Sequence, residues 1–203
     1  MAGEGIGSAA TVEVGRWSDL PVRPWRNGAG AVRELARGSH GPRGPGWRVS
    51  IADITSDGPF SRFDGCDRVL TLVTGDRLTL EVDGAANLLQ PGRPFRFDGA
   101  AAVRAELPEG PVQALNLITD RKAACEGEVS VAHPAAGRVE TAAGETVVLV
   151  NIGLADVEVP LGARPTRLGR FDWLVVAGER AIVLPGTGTL ALVRVRARTA
   201  GAS

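Results

Sequence analysis

The sequence predicts an all-β protein in which two antiparallel jelly-roll barrels follow one another along one chain, and three observations carry that prediction. The 203 residues include 27 glycines and 13 prolines. A breaker therefore falls at about one position in five, which excludes long helices and favours short strands joined by turns. Apolar residues recur with period two, or in short continuous runs bounded by Gly, Pro, Asn or Asp, the patterns of half-buried and fully buried strands. The pattern also restarts. V-L-T-L-V-T-G-D-R-L-T-L-E-V from Val69 and V-V-L-V-N-I-G-L-A-D-V-E-V from Val147 each read as an apolar run, a glycine-centred turn and an alternating strand ending in Glu-Val.

Residues 1–10 are small and Gly-rich and are expected to be disordered. The first lobe, 11–120, opens with T-V-E-V-G-R and continues through A-V-R-E-L-A from Ala31, W-R-V-S-I-A-D from Trp47, R-V-L-T-L-V from Arg68 and R-L-T-L-E-V from Arg77. The runs on either side of Thr74, Gly75 and Asp76 read as a hairpin, with Val69, Thr71 and Val73 set against Leu78, Leu80 and Val82. P-F-R-F, A-V-R-A-E-L and P-V-Q-A-L-N-L-I carry the lobe to Ile118, after which T-D-R-K-A-A-C-E-G-E makes a loop or one short helical turn. The second lobe, 121–203, holds E-V-S-V-A, T-V-V-L-V-N, D-W-L-V-V-A, A-I-V-L-P and L-A-L-V-R-V-R. In it 181–188 stands as the counterpart of 94–99, and the two lobes are expected to pack as one unit.

Lys and Arg number 23, as do Asp and Glu, so the chain lacks the basic footprint of a nucleic-acid binder. M-A-G-E-G-I-G-S-A-A has neither a positive nor an apolar leader segment, and no stretch of about 18 apolar residues occurs. A cytoplasmic protein with no membrane partner is the expectation. Cys66 and Cys125 stand in no metal or redox spacing, and His40 and His133 have no neighbouring histidine, so neither a metal nor another cofactor is expected. G-A-G at Gly28 lacks the continuation of a dinucleotide fingerprint. Ser50 and Ser61 lack a nucleophile-elbow context.

Chemistry-bearing residues concentrate in W-R-N-G-A-G from Trp25 and D-G-P-F-S-R-F-D-G-C-D-R from Asp57. Arg62 and Arg68, with Phe60 and Phe63 beside them, suit either of two arrangements. They hold a small carboxylate by planar guanidinium forks beside aromatic faces, or they close a barrel end by pairing with Asp57, Asp64 and Asp67. Trp25 and Trp47 serve as core or as stacking surface. Asp53 is an inward acid–base group or the partner of Arg48 or Arg33.

W-R-N-G-A-G with R-E-L-A, W-R-V-S-I-A-D-I, D-G-P-F-S-R-F-D-G-C-D-R, V-L-T-L-V-T-G-D-R-L-T-L, P-F-R-F-D-G and L-N-L-I-T-D-R resemble the HutD/Ves family in order and spacing. The likeness runs from about Trp17 to Arg121; beyond about residue 128 it holds only as a β-rich second lobe. It implies a bicupin, two cupin-like barrels in one chain, without the His-rich metal motif of catalytic cupins. It further implies an accessory or regulatory protein of bacterial histidine utilisation that binds a small pathway carboxylate, urocanate-like or formylglutamate-like. Carried over by motif, the ligand-binding positions are Trp25, Arg26, Asn27, Arg33, Glu34, Asp53, Phe60, Ser61, Arg62, Asp67, Arg68 and Asn116. Ala29 departs from the family, where glycine is common.

Two other functions fit the same residues. One is a metal-independent isomerase or hydrolase using Asp53 or Glu34 on a small carboxylate. The other is an interaction module whose strand L-A-L-V-R-V-R is either an edge blunted by Arg194 and Arg196 or the seam of a homodimer.

Overall fold

The apolar runs of the sequence become strands buried on both faces. The computed structural model describes residues 10–25, 28–38, 46–123, 125–133, 137–162, 164–184 and 186–198. The expectations for residues 1–9, Arg26, Asn27 and His40 concern positions outside these. The described residues form strands and two 3-10 turns, Trp17–Asp19 and Arg121–Ala123, with no α-helix among them. No helix in the described residues is long and apolar enough to cross a membrane.

In chain order the first strands are β1 (Thr11–Gly15), β2 (Arg23–Pro24), β3 (Gly30–Gly38), β4 (Trp47–Ile54), β5 (Gly58–Pro59), β6 (Cys66–Thr74), β7 (Leu78–Val82), β8 (Ala85–Leu89), β9 (Pro94–Asp98), β10 (Val103–Glu106) and β11 (Val112–Asp120). The rest are β12 (Cys125–Ala132), β13 (Gly137–Thr141), β14 (Thr146–Asn151), β15 (Val157–Leu161), β16 (Arg164–Leu168), β17 (Trp173–Ala177), β18 (Arg180–Leu184) and β19 (Leu190–Ala197). A six-stranded antiparallel sheet, β2-β3-β4-β11-β6-β9, faces a four-stranded one, β5-β10-β7-β8. The second half has a five-stranded sheet, β1-β17-β14-β19-β12, and two ribbons, β13-β18 and β15-β16. The strand that opens the chain thus joins the sheet of the second half.

The second half repeats the pairing of the first. β6 lies between β9 and β11 as β14 lies between β17 and β19; β4 pairs with β11 as β12 pairs with β19; β7 pairs with β8 as β15 pairs with β16. The counterpart of β9 is therefore β17, one strand earlier than the segment 181–188 that the spacing indicates. The strands form five separate sheets rather than two closed barrels, because the chain changes sheets at glycine corners instead of continuing the ladder.

Gly75 is one such corner and corrects the expected hairpin. Its φ is +89°, and an added Cβ would lie 2.6 Å from Cγ1 of Val112, so only glycine fits. β6 and β7 lie in different sheets. The hairpin partner of β7 is β8, joined through Asp83 and Gly84 at φ +48° and +84°, the Asp-Gly chemistry of a two-residue turn with both φ positive. The mistaken pairing also mixes faces. Val69 packs between the halves whereas Leu78 and Leu80 fill the first half.

Three cores result. Val49, Ile51, Leu115 and Leu117 of the six-stranded sheet meet Val148, Val150, Val193 and Val195 of the five-stranded sheet. Ile54, Leu72, Leu78 and Leu80 fill the first half, and Val147, Leu149, Leu168 and Ile182 fill the second. The six-stranded sheet is covered on both sides, which is why β4, β6 and β11 read as near-continuous apolar runs.

Candidate functional site

One interior carries charge. Period-two alternation turns Glu34 of β3, Arg48, Ser50 and Ala52 of β4, Arg68 and Leu70 of β6 and Asn116 of β11 toward the first-half interior. There, with Arg23, Trp25, Phe60, Ser61 and Phe63, they line a cavity of about 490 Å³. Glu34, Ser50, Asn116 and Leu70 are aligned across four adjacent strands. Trp25 and Phe60 meet edge to face at 5.6 Å and bound the cavity on the loop side.

Arg68 is its most buried charge, 5% exposed. One terminal nitrogen donates to the Ser61 carbonyl at 3.2 Å and the other to Oδ1 of Asn116 at 3.3 Å, while Nε has no acceptor. The guanidinium stands 4.8 to 5.4 Å from the ring centres of Phe60, Phe63 and Phe97, which offer their faces to a cation. Among the described residues it forms no ion pair. Burial, with the charge of Arg48 adding to it, pulls its pKa down to about 10. Arg48 lies over Phe63 at 4.8 Å. A buried cation without a carboxylate is costly unless something supplies the negative charge.

The cavity takes in Trp25, Glu34, Phe60, Ser61, Arg68 and Asn116 of the positions indicated by the sequence motifs. Four others lie elsewhere, three of them because neighbours on a strand face opposite ways. Arg33, next to Glu34, stacks on Trp17 at 4.1 Å. Asp67, next to Arg68, binds Arg121 at 2.9 Å and Arg198 at 3.7 Å. Asp53, next to Ala52, accepts from Gln113 at 2.7 Å rather than from Arg48 or Arg33, and lines a separate open depression with Thr74 and Gln113. Arg62 is exposed on the loop. The expected pairing of Arg62 and Arg68 with Asp57, Asp64 and Asp67 does not occur among the described residues; Asp57 instead accepts from the Leu107 amide at 2.8 Å.

Phe63, read from the sequence as an aromatic face beside the arginines, lies in the wall, and Arg23, Arg48 and Ser50 contribute to it without having been singled out. Their signal was the parity of β4: once Ser50 faces inward, so does Arg48. Trp47 is core between the halves. Burial, then Asp120, pushes the Cys66 thiol up, away from reactive thiolate behaviour.

His133 is exposed at the end of β12, and no group of three His, Cys, Asp or Glu side chains among the described residues is placed to hold a metal ion. The cavity wall offers guanidinium, amide, hydroxyl and aromatic groups with the single carboxylate of Glu34. That donor set does not fit the resident metal typical of catalytic cupins.

The fold and cavity define a cupin-like β protein. Its backbone superposes on YlbA of Escherichia coli with a TM-score of 0.69 at 8% identity, over 95% of this chain and 93% of that one. Within that class, the HutD family model matches residues 17–193, and the chain belongs to the HutD family. It is 34% identical over 192 residues to a 21.2 kDa protein in the hutC 3′ region of Pseudomonas putida, covering 90% of this chain and 96% of that protein. Protein Ves of Citrobacter koseri is 42% identical over 115 residues, 56% of this chain and 60% of that one. The structure of HutD from Pseudomonas fluorescens SBW25, in a formate condition, matches with a TM-score of 0.80 at 34% identity, over 93% of this chain and all of that one.

Proposed function

We propose that this protein is a non-catalytic binder of a small carboxylate metabolite, acting in the cytoplasm as an accessory or regulatory factor of histidine utilisation. We also read its repeated pairing as a bicupin whose lobes meet near residue 120, with β1 lent to the second. One observation carries the binding reading: among the described residues, buried Arg68 lacks an ion-pair partner and keeps Nε without an acceptor. A carboxylate entering the cavity would supply the counter-charge that this guanidinium lacks. Each charged hydrogen bond contributes about 1.5–3 kcal/mol, so micromolar affinity, about 8 kcal/mol, takes several such bonds together with aromatic contact from Phe60 and Trp25. Arg48 and Arg23 add long-range attraction for an anion. The pathway assignment draws on the family's name and on the hutC-region relative.

The test is calorimetry and thermal shift with urocanate, formylglutamate and formate, on the native protein and on Arg68→Met. Methionine keeps much of the volume and removes a charge whose burial is costly, so the variant is expected to fold with native or raised stability. Binding should weaken by at least about tenfold. Absence of heat and of any melting shift with all three carboxylates in folded native protein would remove the proposal.

A further inference from the structure

Glu34 is the one carboxylate in a wall that carries Arg23, Arg48 and Arg68. Its side chain is 24% exposed, and its ion pair is with Arg37 at 3.6 Å, whose own side chain is 67% exposed. Such a surface pair is weak, and it does not explain why a carboxylate lines an anion-binding cavity. For a purely anionic ligand Glu34 is a defect, repelling the same charge that Arg68 attracts.

The register separates the two poles. Glu34 is aligned with Ser50 of β4, and Ser50 with Asn116 of β11. Strands lie about 4.8 Å apart, so Glu34 and Asn116 begin roughly 10 Å apart on the backbone, with the Ser50 hydroxyl between them. The Arg68 guanidinium reaches the Asn116 end. One wall therefore runs from a positive end through a hydroxyl to a negative end. We infer that the ligand of this cavity is bipolar: a carboxylate seated at Arg68 and Asn116, joined by a short spacer to a cationic or N–H-donating nitrogen group seated at Glu34. This inference rests on the anion-binding reading and sharpens it to a ligand class.

Matched pairs test it: gamma-aminobutyrate against pentanoate, and delta-aminovalerate against hexanoate. Within each pair a terminal ammonium replaces a methyl of similar size. Calorimetry on the native protein should favour at least one aminated member by about tenfold. In Glu34→Gln that preference should vanish, with the plain alkanoate binding tighter than to the native protein. A residue with only a structural role would weaken both members together. Arg37→Ala is the control for the surface pair and should keep the preference; its loss there would assign Glu34 to Arg37 and overturn the inference. Equal binding of aminated and plain members, or an unchanged preference in Glu34→Gln, would overturn the bipolar class while leaving the carboxylate site standing. If neither these compounds nor urocanate, formylglutamate or formate bind the native protein, both readings fall.

Discussion

In the first half, β6 and β11 turn Arg68 and Asn116 inward; in the second, the equivalent β14 and β19 turn Val147, Leu149 and Leu190 inward. The pairing is shared and the interiors differ. Two buried polar side chains of the second half, Asn151 and Thr141, are answered within it, while Arg170 has a buried Nε without an acceptor. Asn151, fully buried, donates to the Ala155 and Leu168 carbonyls and accepts from the Gly153 amide, each at 3.0 Å. Thr141 Oγ1 accepts from the Arg180 amide at 3.0 Å and donates to the Gly178 carbonyl at 2.5 Å. Arg68 in the first half leaves Nε without an acceptor. Arg33, Thr71 and Arg170 also keep a buried polar atom unpartnered, but of these four only Arg68 lines the cavity, so the contrast with Asn151 and Thr141 rests on a buried charge set against open space.

The largest expected effect tests whether the second interior is packed and the first is open. Leu149→Ala should cost about 2–5 kcal/mol, because the surrounding strands cannot close over the void. Leu70→Ala should fall at the low end of that range, about 2 kcal/mol, because its void joins an existing cavity. Urea denaturation with an unchanged m-value measures both. Equal losses would mean that the first interior is as tightly packed as the second.

The next effect reverses in sign between the halves. Asn151→Ala leaves two carbonyls and an amide without their buried partner and should cost about 1–3 kcal/mol. Arg68→Met removes a buried charge that has no ion pair, and stability should hold or rise. A loss in Arg68→Met matching that of Asn151→Ala would make Arg68 a structural group and weaken the case for a ligand.

The same contrast explains what was legible beforehand. The apolar runs specified β4, β6 and β11, and the repeat between Val69 and Val147 marked the equivalent strands β6 and β14. Arg68 stood out beside Phe60 and Phe63, whereas Glu34 came with the family resemblance. The facing of a strand was harder to read. β4 alternates Val49 and Ile51 on one side with Ala52 and Ile54 on the other, and both sides are buried. Nothing in such a run says which side holds the cavity, so Asp53 was drawn inward while Arg48 was passed over. Adjacent residues in one motif, Arg33 with Glu34 or Asp67 with Arg68, share a motif but not a face. The corner at Gly75 was hidden for a related reason, since a glycine between two apolar runs reads as a hairpin turn until Asp83-Gly84 claims β7 for β8.

The smallest expected effect is the pH dependence set by one carboxyl of the second half, Glu145. Burial works to raise the pKa of Glu145, but hydrogen bonds from Arg194 and from the Ala142 amide outweigh it, and the carboxyl titrates below its ordinary value. Arg194 stands 2.7 Å away. A carboxyl whose pKa is lowered by folding adds stability that is fully present above its unfolded pKa, near 4.3, and is lost as pH falls through the lower folded value. The melting temperature of the native protein should thus hold its margin over Glu145→Gln above about pH 5 and lose it progressively below pH 4. Arg68 has no ion-paired carboxylate for acid to neutralise, so Arg68→Met should lose stability in step with the native protein over that range. If Glu145→Gln instead runs parallel to the native protein at every pH, the Glu145–Arg194 pair carries no net stability.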